Sequence, residues 1–289
     1  MRSRRLVPYF LLGPGLIWLA LFFIVPMYFM GRLSLESGSL QTGFQFSWEW
    51  SNYADALSEF DTQFIRSFFY AGVATLLALL IAYPLAYMIA FRGGRWKNVL
   101  LFAVVAPFFT TYLIRTLAWQ TILADEGFIV DFMKTLGLVA NDGRLLDTPG
   151  AVIAGLTYNF LPFMILPIYA SLERIDTALI EAAKDLYASA ATAFRRVTLP
   201  LTAPGIVAGT LLTFIPAAGD YINADFLGSQ NQSMIGNVIQ SKYLVVRDYP
   251  GAAALSFVLL AVILVMVLIY IRFAGSEALM GEEAEEARA

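Results

Sequence analysis

The chain has 289 residues, of which 59% are hydrophobic and only 14% charged, with a net charge of −3 and a mean hydropathy of +0.68. That is the composition of a polytopic membrane protein, and no run of Lys and Arg is long enough to follow a nucleic-acid backbone. Cysteine and histidine are both absent, which removes disulfides, thiolate and Ser-His-Asp nucleophiles and His- or Cys-ligated zinc, and leaves only carboxylate chemistry to any catalytic role.

The first apolar run, 6–31, follows Arg2, Arg4 and Arg5 but is too long for a signal peptide and lacks a small-residue exit, so it is expected to be an uncleaved span. Gly13-Pro14-Gly15 and Pro26 interrupt it, which suits packing in a bundle that satisfies the freed backbone groups. Residues 33–63 are polar, with Trp48, Trp50 and Tyr53 suited to an interfacial belt and Asn52-Tyr53 opening a short amphipathic stretch. Further spans are expected at 64–91, 98–123, 151–172, 202–221 and 252–273. Proline lies inside several of them, and turn signals at Asn141-Asp142-Gly143 and Thr148-Pro149-Gly150 mark the loop before the fourth. The tail Glu282-Glu283-Ala284-Glu285-Glu286 is a solvated acidic end.

Basic residues cluster at the start, at 92–97, at 174–196 and at Arg272, while 33–63 holds none. The positive-inside rule then places both termini and the 173–200 loop in the cytoplasm, with six spans. A single membrane domain over 1–289 is expected.

The 173–200 loop is charged yet helix-forming. Asp176 is suited to cap a helix whose Leu179, Ala182, Ala183 and Leu186 recur at three- and four-residue intervals, with Glu181, Lys184 and Asp185 toward the rim. Ser189 is suited to cap a second short helix carrying Phe194, which Pro200 and Pro204 stop. From physics alone, a folded docking element and an ordinary amphipathic helix on the membrane surface are equally good accounts. Glu181-Ala182-Ala183, Asp185-Leu186, Ala188-Ser189, Phe194 and Leu199-Pro200-Leu201 at these spacings resemble the cytoplasmic loop of importer-type ABC transporter permeases. The resemblance implies an all-α type I importer permease in which this loop is a coupling helix seated in a separate ATPase, with Glu181, Ala182, Ala183, Asp185, Leu186, Tyr187 and Ser189 at the joint. The family usually has glycine at Tyr187, where a positive-φ turn separates the two helices.

The resemblance extends to Gly13-Pro14-Gly15 with Trp18, to Thr213–Tyr221, to Asp225-Phe226-Leu227-Gly228 and to Ile235–Gln240, which are similar to the permease subunits of spermidine/putrescine importers. It implies a second related permease, two copies of an ATPase, an external solute-binding protein and residence in a bacterial inner membrane. No Gly-x-x-x-x-Gly-Lys-Ser/Thr loop occurs, so ATP and Mg belong to the partner ATPase and no cofactor is expected here. A permease for another small solute and an ion-coupled secondary transporter with broken helices are the alternatives.

A polyamine carries spaced ammonium groups, whose lost hydration carboxylates and aromatic faces would replace. Asp220, Tyr221 and Asp225 lie at the end of the fifth span beside Pro216 and Gly219, with Trp119 and Tyr158 as further aromatic candidates. On an intact helix Asp220 and Asp225 would stand roughly 140° apart, so both line one cavity only if the helix unwinds. Otherwise they cap local amides or pair with Lys242 or Arg247. Arg115, deep in the third span, is expected to pair structurally with Asp125 or Glu126.

Overall fold

The computed structural model describes residues 7–137, 140 and 143–272. Arg2, Arg4, Arg5, Asn141, Asp142, the end of the sixth expected span and the acidic tail lie outside the described residues. Helices dominate, and contacts divide the chain into two compact units. One comprises the chain up to Asp61 together with Val238–Ala261, and the other comprises Thr62–Asn237 and the chain from Val262.

In the first unit α1 (Val7–Leu19) passes through a π-turn (Ala20–Ile24) into α2 (Val25–Leu33). The following polar segment is more ordered than a loop. A hairpin of β1 (Glu36–Ser39) and β2 (Gly43–Phe46) pairs antiparallel with Glu36 opposite Phe46, and α3 (Ser51–Glu59) follows. Asn52 donates through Nδ2 to the carbonyls of Ser34 and Glu36, both at 3.0 Å, and so ties α3 to the hairpin. Trp48 and Trp50 stack at 6.3 Å and Trp50 lies 5.8 Å from Tyr53, so the three expected belt aromatics form one cluster.

The second unit begins with α4 (Asp61–Arg92), 32 residues long with Pro84 inside it. After a 3-10 turn, α5 (Lys97–Val105) and α6 (Tyr112–Leu123) follow, with a second 3-10 turn at Ala106–Phe109 between them. The third expected span is therefore not one straight helix. The segments Gly94–Phe109 and Tyr112–Leu123 meet at 94°, because Thr110 and Thr111 are both extended (ψ 139° and 148°) where Pro107 has ended the helical ladder. Then come α7 (Phe128–Thr135) and α8 (Pro149–Glu173), which Thr148 caps through its hydroxyl on the Ala151 amide. The rest of this unit is α9 (Thr177–Asp185), α10 (Ala190–Ala193), a π-turn, α11 (Leu199–Leu201), α12 (Ala203–Ala218), α13 (Ile222–Leu227) and the start of α14 (Ile235–Ser241), while the end of α14 and α15 (Tyr249–Tyr270) as far as Ala261 belong to the first unit.

Among the described residues, four helices are long and apolar enough to cross a bilayer, and six spans result if each of two bent pairs counts as one. The second bent pair, Ala190–Leu201 with Ala203–Ala218 at 63°, includes the fifth expected span, which is shorter than read and ends at Ala218.

The core of the second unit is built from small residues. Ala71, Ala74, Ala78, Ala82 and Ala86 make a fully buried stripe along α4 that faces Val152, Leu156, Ile165 and Ile168 of α8. Helix α12 approaches α8 more closely still. A Cβ on Gly205 would stand 2.5 Å from the Pro167 carbonyl oxygen, and one on Gly209 would meet Met164 at 2.9 Å. This small-x-x-x-small spacing substitutes backbone packing for the hydrophobic drive that lipid does not supply.

Candidate functional site

Two regions hold the expected site residues, and the structure treats them differently. The first is the segment joining α8 to α12. Its base is anchored at both ends. Lys97 at the start of α5 forms an ion pair with Glu173 at the end of α8 (2.7 Å), and Phe194 packs edge-on against Tyr83 of α4 at 5.6 Å. Tyr83 also bonds Thr202 at 2.9 Å. Between these anchors α9 stands clear. Asp176 accepts from the Ala178 amide at 2.9 Å and Ser189 from the Thr192 amide at 3.2 Å, so both expected caps are present.

Helix α9 has no buried residue. Glu181, Ala182 and Asp185 are exposed and Ala183 is half-buried. Leu179 is 49% exposed, Leu186 81% and Tyr187 99%. The helix closes in a Schellman motif, with the Ala188 amide on the Ala183 carbonyl (3.1 Å) and the Tyr187 amide on that of Lys184 (2.9 Å). Its left-handed residue is Tyr187 itself, at φ 60°. The turn that glycine usually makes is thus kept with a tyrosine, and that ring touches almost nothing in its own chain.

The second region is the junction after α12. The helix does break there. Asp220 is 7% exposed and its Oδ1 accepts from the Asn223 amide (2.8 Å) and Nδ2 (3.2 Å). Its Oδ2 accepts from the Tyr112 hydroxyl, which also accepts from Asn223 Nδ2 at 2.6 Å. Asn159 of α8 donates to Asn223 Oδ1 (3.0 Å) and to Thr116 of α6 (3.3 Å). One buried polar network therefore joins α6, α8 and the α12–α13 joint. Asp225 and Tyr221, by contrast, are exposed, so the two aspartates sit in different environments. Asp220 meets local amides instead, while Lys242 pairs with Asp248 at 3.0 Å. Trp119 and Tyr158 do come together, with rings 5.5 Å apart.

The expected pairing of Arg115 with Asp125 or Glu126 is wrong. Asp125 bonds Arg144 at 2.9 Å. Arg115 is 8% exposed, lies 4.7 Å over Phe108 and 5.6 Å over Tyr112, and leaves its Nε without a hydrogen-bond partner. With Tyr158, Leu85, Ile165 and others it lines an apolar cavity of about 310 Å³. Tyr112, Asn159 and Asn223 were missed from sequence. Asn159, an amide in the middle of the apolar run 151–172, was the legible signal, since such a group must find partners in a membrane bundle; its partners lie 43 and 64 residues away.

The fold matches chains of solved ABC transporters. One is a transporter involved in the import of the acidic polysaccharide alginate, at a TM-score of 0.67 and 20% identity, covering 95% of this chain and 96% of that one. Another is the MetNI methionine ABC transporter, at 0.52 and 17%, covering 76% and 94%. The architecture is that of a type I ABC importer permease. Residues 82–275 match the family model of the binding-protein-dependent transport system inner membrane component, and the chain belongs to that family. With several membrane-length helices it is a multi-pass inner membrane protein. Relatives include the spermidine/putrescine transport system permease protein PotB of Haemophilus influenzae, 37% identical over 88% of this chain and 90% of that protein. The Escherichia coli PotB is 42% identical over 70% and 74%, and the E. coli inner membrane ABC transporter permease protein YdcU is 35% identical over 70% and 67%.

Proposed function

We propose that this chain is the transmembrane permease subunit of an ATP-driven importer that moves polyamines such as spermidine and putrescine into the cytoplasm by alternating access. The observation that carries the reading is 37% identity across 88% of the chain to a permease named for spermidine and putrescine. The chain is a transport subunit and not an enzyme. ATP and Mg sit on two copies of a cytoplasmic ATPase, a second related permease completes the membrane pore, and an external solute-binding protein delivers substrate. Both termini are cytoplasmic, each bent pair counts as one of six spans, and α9 is the coupling helix. What supports this placement is α9 itself, a capped helix on an anchored base with no fully buried residue and with Leu179 and Leu186 exposed. Glu181, Ala182, Ala183, Asp185, Leu186, Tyr187 and Ser189 form the ATPase joint. Asp220, Tyr221 and Asp225, with the Trp119–Tyr158 aromatic pair, lie along the substrate path.

The test is reconstitution of the four-component assembly in liposomes with labelled spermidine. The reading expects accumulation that needs both ATP and the binding protein, and co-purification of the ATPase with this chain. Uptake driven by an ion gradient without ATP would replace it with a secondary transporter. Robust ATP-dependent uptake of an unrelated solute, with none of polyamine, would keep the permease and remove the substrate.

A further inference from the structure

Two ionisable side chains of opposite sign, Asp220 and Arg115, lie buried in the second unit, and neither makes an ion pair. Among the described residues no ion pair joins Asp220 to a cation or Arg115 to a carboxylate within 4.0 Å. A buried charge without a partner is costly, and three neutral hydrogen bonds offset only part of that cost for Asp220. Both charges touch the same side chain. The Arg115 guanidinium carbon lies 5.6 Å from the centroid of the Tyr112 ring, and the Tyr112 hydroxyl donates to Asp220 Oδ2. A cation on the ring face draws electron density from the phenol and strengthens its O–H as a donor, so the two contacts support each other. The surrounding Asn223, Asn159 and Thr116 are uncharged and hold the carboxylate in place.

We propose that Arg115, acting through Tyr112, is the resident counter-cation of Asp220, and that a substrate ammonium has to outcompete it. This rests on the reading that Asp220 lies on the polyamine path. An ammonium reaching Asp220 must displace the Tyr112 hydroxyl from Oδ2, and it then shares the field of Arg115. The guanidinium stays charged at every accessible pH, and among the described residues it makes no ion pair. It therefore weakens the bound state and hastens departure of the ammonium, favouring a multiply charged ligand that is anchored elsewhere at the same time. Arg115 is on this account a positioning residue that sets substrate release, and the cavity it lines needs no anionic ligand.

The experiment measures initial rates of spermidine uptake by the reconstituted assembly carrying Arg115→Gln, Arg115→Met or Arg115→Lys, alone and with Asp220→Asn. Arg115→Met keeps an apolar, flexible side chain over the rings, so assembly is preserved if the polar amide is not tolerated. Loss of the charge is expected to lower KM about tenfold and to lower the maximal rate as release slows, because opposite charges in a site of effective dielectric near 20 interact by more than a factor of ten. Arg115→Lys should restore both constants to within about twofold. With Asp220→Asn present, removing Arg115 should leave KM where the single Asp220→Asn variant puts it. A KM that is unchanged or raised in assembled Arg115→Met complexes overturns the proposal, as does the same fall in KM with Asp220→Asn present. If Asp220→Asn alone leaves KM unchanged, the pathway assignment of Asp220 itself is what fails.

Discussion

Replacing Tyr187 with glycine should stabilise the chain while weakening its grip on the ATPase. Tyr187 stands at φ 60° in the Schellman turn that ends α9. A non-glycine residue in that conformation carries about 1–2 kcal/mol of steric cost. Its ring is 99% exposed, so no packing within the chain offsets the strain. Glycine removes the strain and adds about 0.5–1 kcal/mol of unfolded-state entropy, which leaves a net gain of roughly 0.5–1 kcal/mol. For a chain of this size that is a rise in Tm of about 1–2 °C. The assay is thermal unfolding of the purified chain in one detergent, with Tyr187→Ala as the control that keeps the strain and removes the ring. Tyr187→Gly should melt above wild type and Tyr187→Ala within a degree of it. In the assembled transporter both variants should loosen the ATPase, because a strained residue retained with a wholly exposed ring is explained by a contact outside the chain. A lower Tm for Tyr187→Gly would refute the account of the turn, and undiminished ATPase binding by both variants would refute the account of the ring.

Within α9, Ala183→Trp and Glu181→Lys should leave stability within about 0.5 kcal/mol of wild type, since the helix buries nothing, yet uncouple uptake from ATP hydrolysis; normal uptake would move the joint elsewhere. The two aspartates should separate. Asp225→Asn, at an exposed site, should depress polyamine uptake with stability unchanged, whereas Asp220→Asn should also cost about 1–3 kcal/mol through the buried network; equal melting of the two variants would show that the network contributes nothing. Gly205→Leu places a side chain against the Pro167 carbonyl and should cost about 1–3 kcal/mol or block folding, read as loss of monodisperse protein, while Gly72→Ala, with nothing within 4 Å, should be silent; tolerance of both would mean α12 and α8 are not held by close approach.

What the sequence determined by itself were the features set by local chemistry. Apolar runs located the membrane helices near 64–91, 151–172 and 252–273, since length and hydropathy suffice for that. Asp176 and Ser189 announced their caps because a cap acts within three residues. The spaced residues of the 173–205 segment carried the family, which the match over 82–275 shows. Tertiary structure decided whatever depends on residues distant along the chain. The 94° bend in the third span is not visible in hydropathy, because Thr110 and Thr111 count the same in either conformation. Arg115 was assigned a partner by proximity in sequence, but a buried charge is governed by what surrounds it in space, and its neighbours are the Phe108 and Tyr112 rings. Asp220 and Asp225 look alike as letters five positions apart. The break at Gly219 buries one beneath Tyr112, 108 residues earlier, and leaves the other in the open, because only the packing of α6 against the α12–α13 joint sets which carboxylate is desolvated.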